Sequence, residues 1–310
     1  MKNLKPLFAS LAILLLSACG NTNDIMPPLK ESLIKVTADI SQHTRAGYKS
    51  GELMPEKFVM NITQGDNVKY NYSLVEMTKN TSGNTYSVQE GTELLWADDT
   101  HSATVKAMTI PIGLTMVDAN EVMEVNVSLE QNEEENVAAS DLLGATSDTN
   151  GGITIESTTI NVEFQHLLSK LDVRYEFSSE FDENTVVVNS FTLQNICTTG
   201  GFGYAQMDYD ATNLKYGDIA MFHNATNSTA EVIFFPYAPT ENPTLLINAT
   251  IDDVDYNFTC PVVPKNANGF IGGKRYTMNV SIVGSAISGT EASIAKGWDT
   301  NTKDESFITE

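Results

Sequence analysis

The stretch Ile34-Lys35-Val36-Thr37-Ala38-Asp39-Ile40-Ser41 alternates strictly between apolar and polar side chains. Successive side chains of a β-strand point to opposite faces, so this period of two predicts a strand with one face in a core. The apolar face carries Ile34, Val36, Ala38 and Ile40. The sequence therefore predicts a β protein that begins with this strand.

A polar loop, His43-Thr44-Arg45-Ala46-Gly47, follows the strand at once and contains the first arginine of the chain. A strand that fits a core and is followed directly by a basic loop residue can be detached by one proteolytic cut. We predict that the strand is removable, with the cut between Arg45 and Ala46. The alternative is that Arg45 is an ordinary exposed loop residue.

The residues before the strand are typical of an exported lipoprotein. A basic start precedes the apolar run Leu7–Leu16, which is too short to cross a bilayer comfortably. The run ends in Leu16-Ser17-Ala18-Cys19-Gly20, the pattern of a bacterial lipobox, in which acyl chains such as palmitate are attached to the cysteine. We predict a signal peptide over 1–18, lipidation of Cys19 and a lipidated tether with the first strand over 19–45, an outer-membrane anchor of the precursor.

Composition limits the class of protein. The 310 residues carry 18 Lys and Arg against 40 Asp and Glu, a net charge of −22. Such a surface repels nucleic acid, so no nucleic-acid partner is expected. Because 41% of the residues are hydrophobic, the charge indicates solubility and not disorder. The length favours two cores.

The rest of the chain reads as further strands at short intervals. Alternating runs include Val68 to Leu74, Met123 to Leu129, Ile160 to Phe164 and Tyr276 to Ile282. Polar and glycine-rich residues between 131 and 152 interrupt this pattern and predict a domain boundary. We predict an all-β fold with an N-terminal sandwich over 46–152, a C-terminal sandwich over 153–289 and a tail over 290–310.

The sequence carries few signs of chemistry. It lacks the common nucleophile, zinc and phosphate-binding motifs, so we predict no enzyme, no cofactor and no metal site. Asp252 and Asp253 stand where a hairpin needs turn residues. Cys197 and Cys260 form either a disulfide or two buried thiols, and the sequence does not decide between them.

Ordered motifs along the chain resemble the fimbrillin family, the type V pilins of the Bacteroidota. The match covers nearly the whole mature chain and consists of Ser140-Asp141-Leu142-Leu143-Gly144-Ala145, Phe164-Gln165-His166-Leu167-Leu168-Ser169-Lys170-Leu171-Asp172-Val173, Gly272-Gly273-Lys274-Arg275-Tyr276-Thr277 and Ala292-Ser293-Ile294-Ala295-Lys296-Gly297-Trp298.

This resemblance implies two tandem transthyretin-like β-sandwich domains and a role as a surface fimbrial subunit in cell adhesion. It also implies an assembly route. An arginine-specific protease cuts the lipidated precursor behind its first strand, at Arg45 in this chain. A strand from another pilin subunit then fills the opened groove, and the tail 290–310 is the expected donor. The apolar residues of this tail are sparse and alternate poorly.

A rival hypothesis is a surface glycan-binding outer-membrane lipoprotein. Such a protein would keep its first strand and bind sugars with exposed aromatic side chains such as Trp96 or Tyr209. Glycan-array binding by the uncleaved monomer, lost when these aromatics are replaced, would favour this hypothesis, although core packing is the favoured interpretation of Trp96.

Overall fold

The computed structural model describes residues 32–40, 55–66, 68–81, 83–88, 92–110, 118–147, 151–182, 185–265 and 268–295. Strands dominate these residues, which confirms the predicted all-β class. The elements are β1 (Lys35–Ile40), β2 (Lys57–Thr63), β3 (Tyr72–Lys79), β4 (Thr85–Val88), β5 (Thr104–Thr109), β6 (Val122–Asn126), α1 (Glu134–Ala139), β7 (Leu143–Thr146), β8 (Ile153–Glu156), β9 (Thr159–His166), β10 (Ser169–Phe177), β11 (Val186–Gly203), β12 (Asp208–Ala220), β13 (Phe222–Asn224), β14 (Thr229–Phe234), β15 (Thr244–Ile251), β16 (Val254–Pro261), β17 (Arg275–Val283), β18 (Ala286–Gly289) and β19 (Ser293–Ile294).

The first half folds into one sheet that closes on itself. Its strands follow the order β1-β4-β3-β2-β5-β7-β9, and β9 pairs back with β1. β8 is joined to β9 as an additional hairpin strand. The enclosed core contains large side chains such as Phe58, Trp96 and Phe164. β1 is therefore the strand that closes this sheet.

The second half consists of two further sheets within the described residues. One has the order β13-β14-β10-β17, with β18 and β19 on the outer edge of β17. The other has the order β12-β11-β15-β16, and β6 also pairs with β11. Inner-face side chains of both sheets belong to one buried cluster, for example Val173 of β10 and Ile247 of β15.

Apart from β6, the chain passes from the first sheet to the other two sheets between His166 and Ser169. The sequence-based boundary at residue 152 assigns β8 and β9 to the second sandwich, whereas their hydrogen bonds place them in the first sheet. Gly151 and Gly152 are bonded to strands of this sheet, because Thr146 N donates to Gly151 O and Glu163 N donates to Gly152 O, both at 2.6 Å. The glycine pair assigned to a domain boundary thus belongs to the first sheet.

Two local predictions were wrong. Val68–Tyr70 forms a 3-10 turn, and the strand begins only at Tyr72; Val68 is 80% exposed. The polar segment after Gln131 contains the helix α1, whose first turn carries Glu134 and Glu135. Negative charge at a helix start complements the helix dipole, and Val137 of this helix is fully buried.

The predicted turn at Asp252 and Asp253 is confirmed. Both residues have positive φ, 52° and 62°. They connect β15 to β16 and lie between Ile251 and Val254, the last paired residues of this hairpin. Two central residues with positive φ make the turn whose twist matches a β-hairpin. Aspartate tolerates this left-handed conformation better than most residues.

We expect Asp253→Val to destabilise the protein by about 1–2 kcal/mol, because a β-branched residue pays the full cost of the left-handed conformation. Asp253→Gly is the matched control and should be neutral or slightly stabilising. Urea unfolding at pH 7 measures both. Equal midpoints for the valine and glycine variants would contradict this account of the turn.

Candidate functional site: the first strand and its groove

The inner face of β1 is a built-in part of the first core. Val36, Ala38 and Ile40 are buried, with 3%, 2% and 7% of their surface exposed. Ile34 lies just before the strand and packs against the same core while partly exposed. Burying one Val or Ile side chain stabilises a protein by about 1.5–3 kcal/mol. The four residues predicted to face the core therefore do so.

β1 is hydrogen-bonded along both of its edges. It runs parallel to β9, in register from Lys35 opposite Thr159 to Ile40 opposite Phe164. On its other edge it pairs with β4 in antiparallel fashion, at Val36–Tyr86 and Thr37–Thr85. Removing a strand in this position would leave two sheet edges without a partner and expose the pockets of its apolar side chains.

Trp96 contacts the segments that lead into β1 and β9. Its ring is fully buried, its Nε1 donates to Thr158 O at 3.2 Å, and its backbone N donates to Ser32 O at 2.9 Å. One residue thus links the segment before β1 to the segment before β9. Trp96 is thus packed in the core and is not the exposed sugar-binding ring that the rival glycan-binding hypothesis requires.

Tyr209 is also committed to internal contacts. Its ring packs edge-on against Phe202 and Phe235, and its hydroxyl donates to Leu167 O. Burial raises the pKa of this hydroxyl well above its usual range. Of the two aromatic residues named for glycan binding, Trp96 is buried and Tyr209 is partly exposed but engaged in these internal contacts.

The two cysteines of the second half are free thiols. Cys197 and Cys260 are both buried, so of the two alternatives the structure has unpaired cysteines. Cys197 Sγ donates to Thr199 O at 3.3 Å. Burial raises the pKa of each thiol to about 11.

We expect neither thiol to react with a disulfide reagent in the folded protein at pH 8, because a thiol with a pKa of about 11 is only ~0.1% thiolate there and both sulfurs are buried. A Cys19→Ser variant leaves these two as its cysteines. Titration should give no reaction in buffer and two thiols in urea. Fewer than two thiols in urea would indicate a disulfide instead.

Three predicted site residues, Cys19, Arg45 and Ala46, lie outside the described residues, as does the tail from residue 296 onward. The first part of the predicted tail, residues 290–295, belongs to the fold. Ala292 is fully buried, and Ser293 and Ile294 form β19 on the edge of β17. A donor segment would therefore begin after Ala295 or require β19 to detach.

The described residues contain no group of three or more His, Cys, Asp or Glu side chains placed to hold a metal ion. Over the same part of the chain, no helix combines the length and apolarity needed to cross a membrane.

Comparison with known proteins decides the family. The model of the fimbrillin-like family matches residues 44–298. The chain belongs to this fimbrillin-like family. The match spans most of the chain and confirms the resemblance drawn from the motifs.

Solved structures similar to this fimbrillin-like chain share its fold. A putative cell adhesion protein from Bacteroides uniformis is 17% identical, with a TM-score of 0.61 and with 86% of this chain and 98% of that chain covered. One from Bacteroides ovatus is 16% identical, with a TM-score of 0.64 and coverage of 87% and 98%. No curated protein matches the chain.

Charged and polar residues from the quoted motifs form buried pairs in the structure. Asp141 and His166 form a fully buried pair, with Oδ2 and Nδ1 2.5 Å apart. This contact joins the segment before β7 to the end of β9. The available signal for this pair in the sequence was a histidine at the end of an apolar strand.

A second set of buried charges lies at the start of β10 and β17 in this fimbrillin-like fold. Lys170 Nζ lies 2.6 Å from Glu231 Oε2 and 3.4 Å from Asp172 Oδ1, and Arg275 Nε donates to Asp172 Oδ2. Lys170 and Arg275 are 1% and 2% exposed. Lys170, Asp172 and Arg275 belong to the quoted motifs, whereas Glu231 does not, and the pairing of these four residues was not predicted.

Proposed function

We propose that this chain is a structural subunit of a cell-surface fimbria, a type V pilus, and that it supports adhesion of the cell. The family supports the fimbrial role. The observation that carries the assembly route is the position of β1, which closes the first sheet between β4 and β9 and is followed in the sequence by Arg45.

In the proposed route, an arginine-specific protease cuts after Arg45 and β1 leaves. The groove then lacks two large apolar side chains, Val36 and Ile40, whose burial is worth roughly 3–6 kcal/mol together. It also has two open sheet edges. Such edges bind extended segments by main-chain hydrogen bonds, while alternating pockets fix the register. A strand from another pilin subunit fills this groove.

Cys19 gives the precursor its place on the outer membrane before the cut. Acyl chains on this cysteine anchor the tether 19–45, so cutting at Arg45 separates the mature subunit from both the lipid and β1. The protease, the lipid anchor and the exchanged strand are parts of this proposal. The tail after Ala295 is the candidate donor. Because its apolar residues alternate poorly, its role as donor should be tested first, by deleting it in an assembly experiment.

The direct test is N-terminal sequencing of fimbriae shed from the cell surface. The proposal expects chains that begin at Ala46 and lack β1, together with a lipidated precursor that begins at Cys19 in the membrane fraction. Shed subunits that retain residues 34–40 would contradict strand removal. Fimbriae that lack this chain would contradict the subunit role itself.

A further inference from the structure

The backbone of β1 also bonds to segments outside its ladder with β9. Ile34 N donates to Leu94 O at 2.8 Å and Ala38 N donates to Asn84 O at 3.0 Å. Ile40 N donates to the carboxylate of its neighbour Asp39 at 2.8 Å.

The side chains on the outer face of β1 make different contacts along the strand. In the middle of the strand, Thr37 Oγ1 donates to Asn161 Oδ1 of β9 at 2.7 Å. One rung further, Asp39 lies directly opposite Glu163 in the register, and both residues are exposed. Like charges directly opposite each other destabilise strand pairing. The resident strand therefore meets a repulsion at its Ile40 end.

The space beside this rung is open. A cavity of about 700 Å³ adjoins the second half of β1, and its lining includes Asp39, Asn84, Thr154 and Glu163. A long basic side chain in place of Asp39 would find room here beside the Glu163 carboxylate. This position therefore pairs two carboxylates in the resident strand and leaves room for a basic side chain on an incoming strand.

We propose that Glu163 is a specificity-determining residue of strand exchange: the groove prefers an incoming subunit strand with a basic residue opposite Glu163. The incoming strand also needs apolar side chains in the Val36, Ala38 and Ile40 pockets. This inference rests on the proposed function, because it assumes that β1 leaves.

Peptide exchange tests the selection. A site for an unrelated protease is placed in the segment 46–51, so that cutting does not depend on Arg45. The cut protein is then mixed with two peptides of the sequence 32–41, one with Asp39 and one with Asp39→Lys. We expect the lysine peptide to bind about 2- to 25-fold more tightly, since each charge contact contributes up to about a fivefold effect.

Charge reversal sharpens the test. Glu163→Lys should reverse the preference between the two peptides. Glu156→Lys is the matched control, because Glu156 is exposed on the same sheet but pairs with Thr159 and faces no acidic residue of β1. It should leave the preference unchanged. Equal binding of both peptides, or an equal response to the two charge reversals, would overturn the role of Glu163.

If the cut protein never releases its strand under any condition, the proposed function fails, which is a different result from release without charge preference.

Discussion

Arg45→Ala should leave the precursor uncut and abolish fimbrial assembly. A protease pocket built to bind a charged side chain discriminates against one that lacks it by on the order of 10⁴-fold or more. The variant keeps β1, so its groove stays closed and cannot accept another strand. The measurement is the amount of assembled fimbriae on the cell surface, together with the mass of the chain in the membrane fraction.

Two matched variants define the cause of this loss. His43→Ala changes the same loop without touching the basic residue and should assemble normally. Arg45→Lys keeps the charge, so failure of this variant would identify an arginine-specific protease and normal assembly would indicate a general trypsin-like one. Wild-type levels of fimbriae from Arg45→Ala would show that the cut lies elsewhere or is not needed.

The largest expected effect on folding comes from Asp172→Ala. Asp172 accepts a hydrogen bond from Arg275 and forms an ion pair with Lys170, and both cations are almost completely buried. Removing Asp172 takes this carboxylate from both cations and leaves Glu231 as the carboxylate beside Lys170. Breaking a buried charge set in this way costs about 3–5 kcal/mol. Denaturant unfolding of the purified protein measures the loss.

An exposed ion pair of the same chain provides the control. Lys57 Nζ lies 2.7 Å from Glu76 Oε1, and these side chains are 55% and 50% exposed. Glu76→Ala should cost only about 0–1 kcal/mol, because water screens an exposed pair. Comparable losses from Asp172→Ala and Glu76→Ala would show that burial does not strengthen the network.

The buried network also predicts a loss of stability at alkaline pH. Burial alone lowers the pKa of Lys170, but Asp172 and Glu231 outweigh burial and raise the pKa above the ordinary value of 10.5. A raised pKa in the folded state gives stability that is complete below pH 10.5 and is lost as the pH rises through the folded value. The Lys170→Met variant should lack this loss, which unfolding curves between pH 9 and 12 can detect.

Much of the fold was predictable because β-strands leave a local record in the sequence. The alternation from Ile34 to Ile40 predicted both the strand and its buried face, and the Asp252-Asp253 pair predicted its turn. Each depends only on neighbours within a few residues. Val68 to Leu74 shows the limit, since its alternation was equally regular and yet Val68 is exposed in a 3-10 turn.

Three features could be predicted from the sequence alone: the β class, the apolar-faced strand before the first arginine and the family to which the ordered motifs belong. The position of β1 between β4 and β9, the burial of Trp96 and the network of Lys170, Asp172 and Arg275 emerged only from the folded chain. These facts depend on pairing between segments far apart in the chain, such as Ile40 and Phe164. Periodicity reports which face of a strand is buried, whereas the partner of that strand is selected by the packing of the whole core.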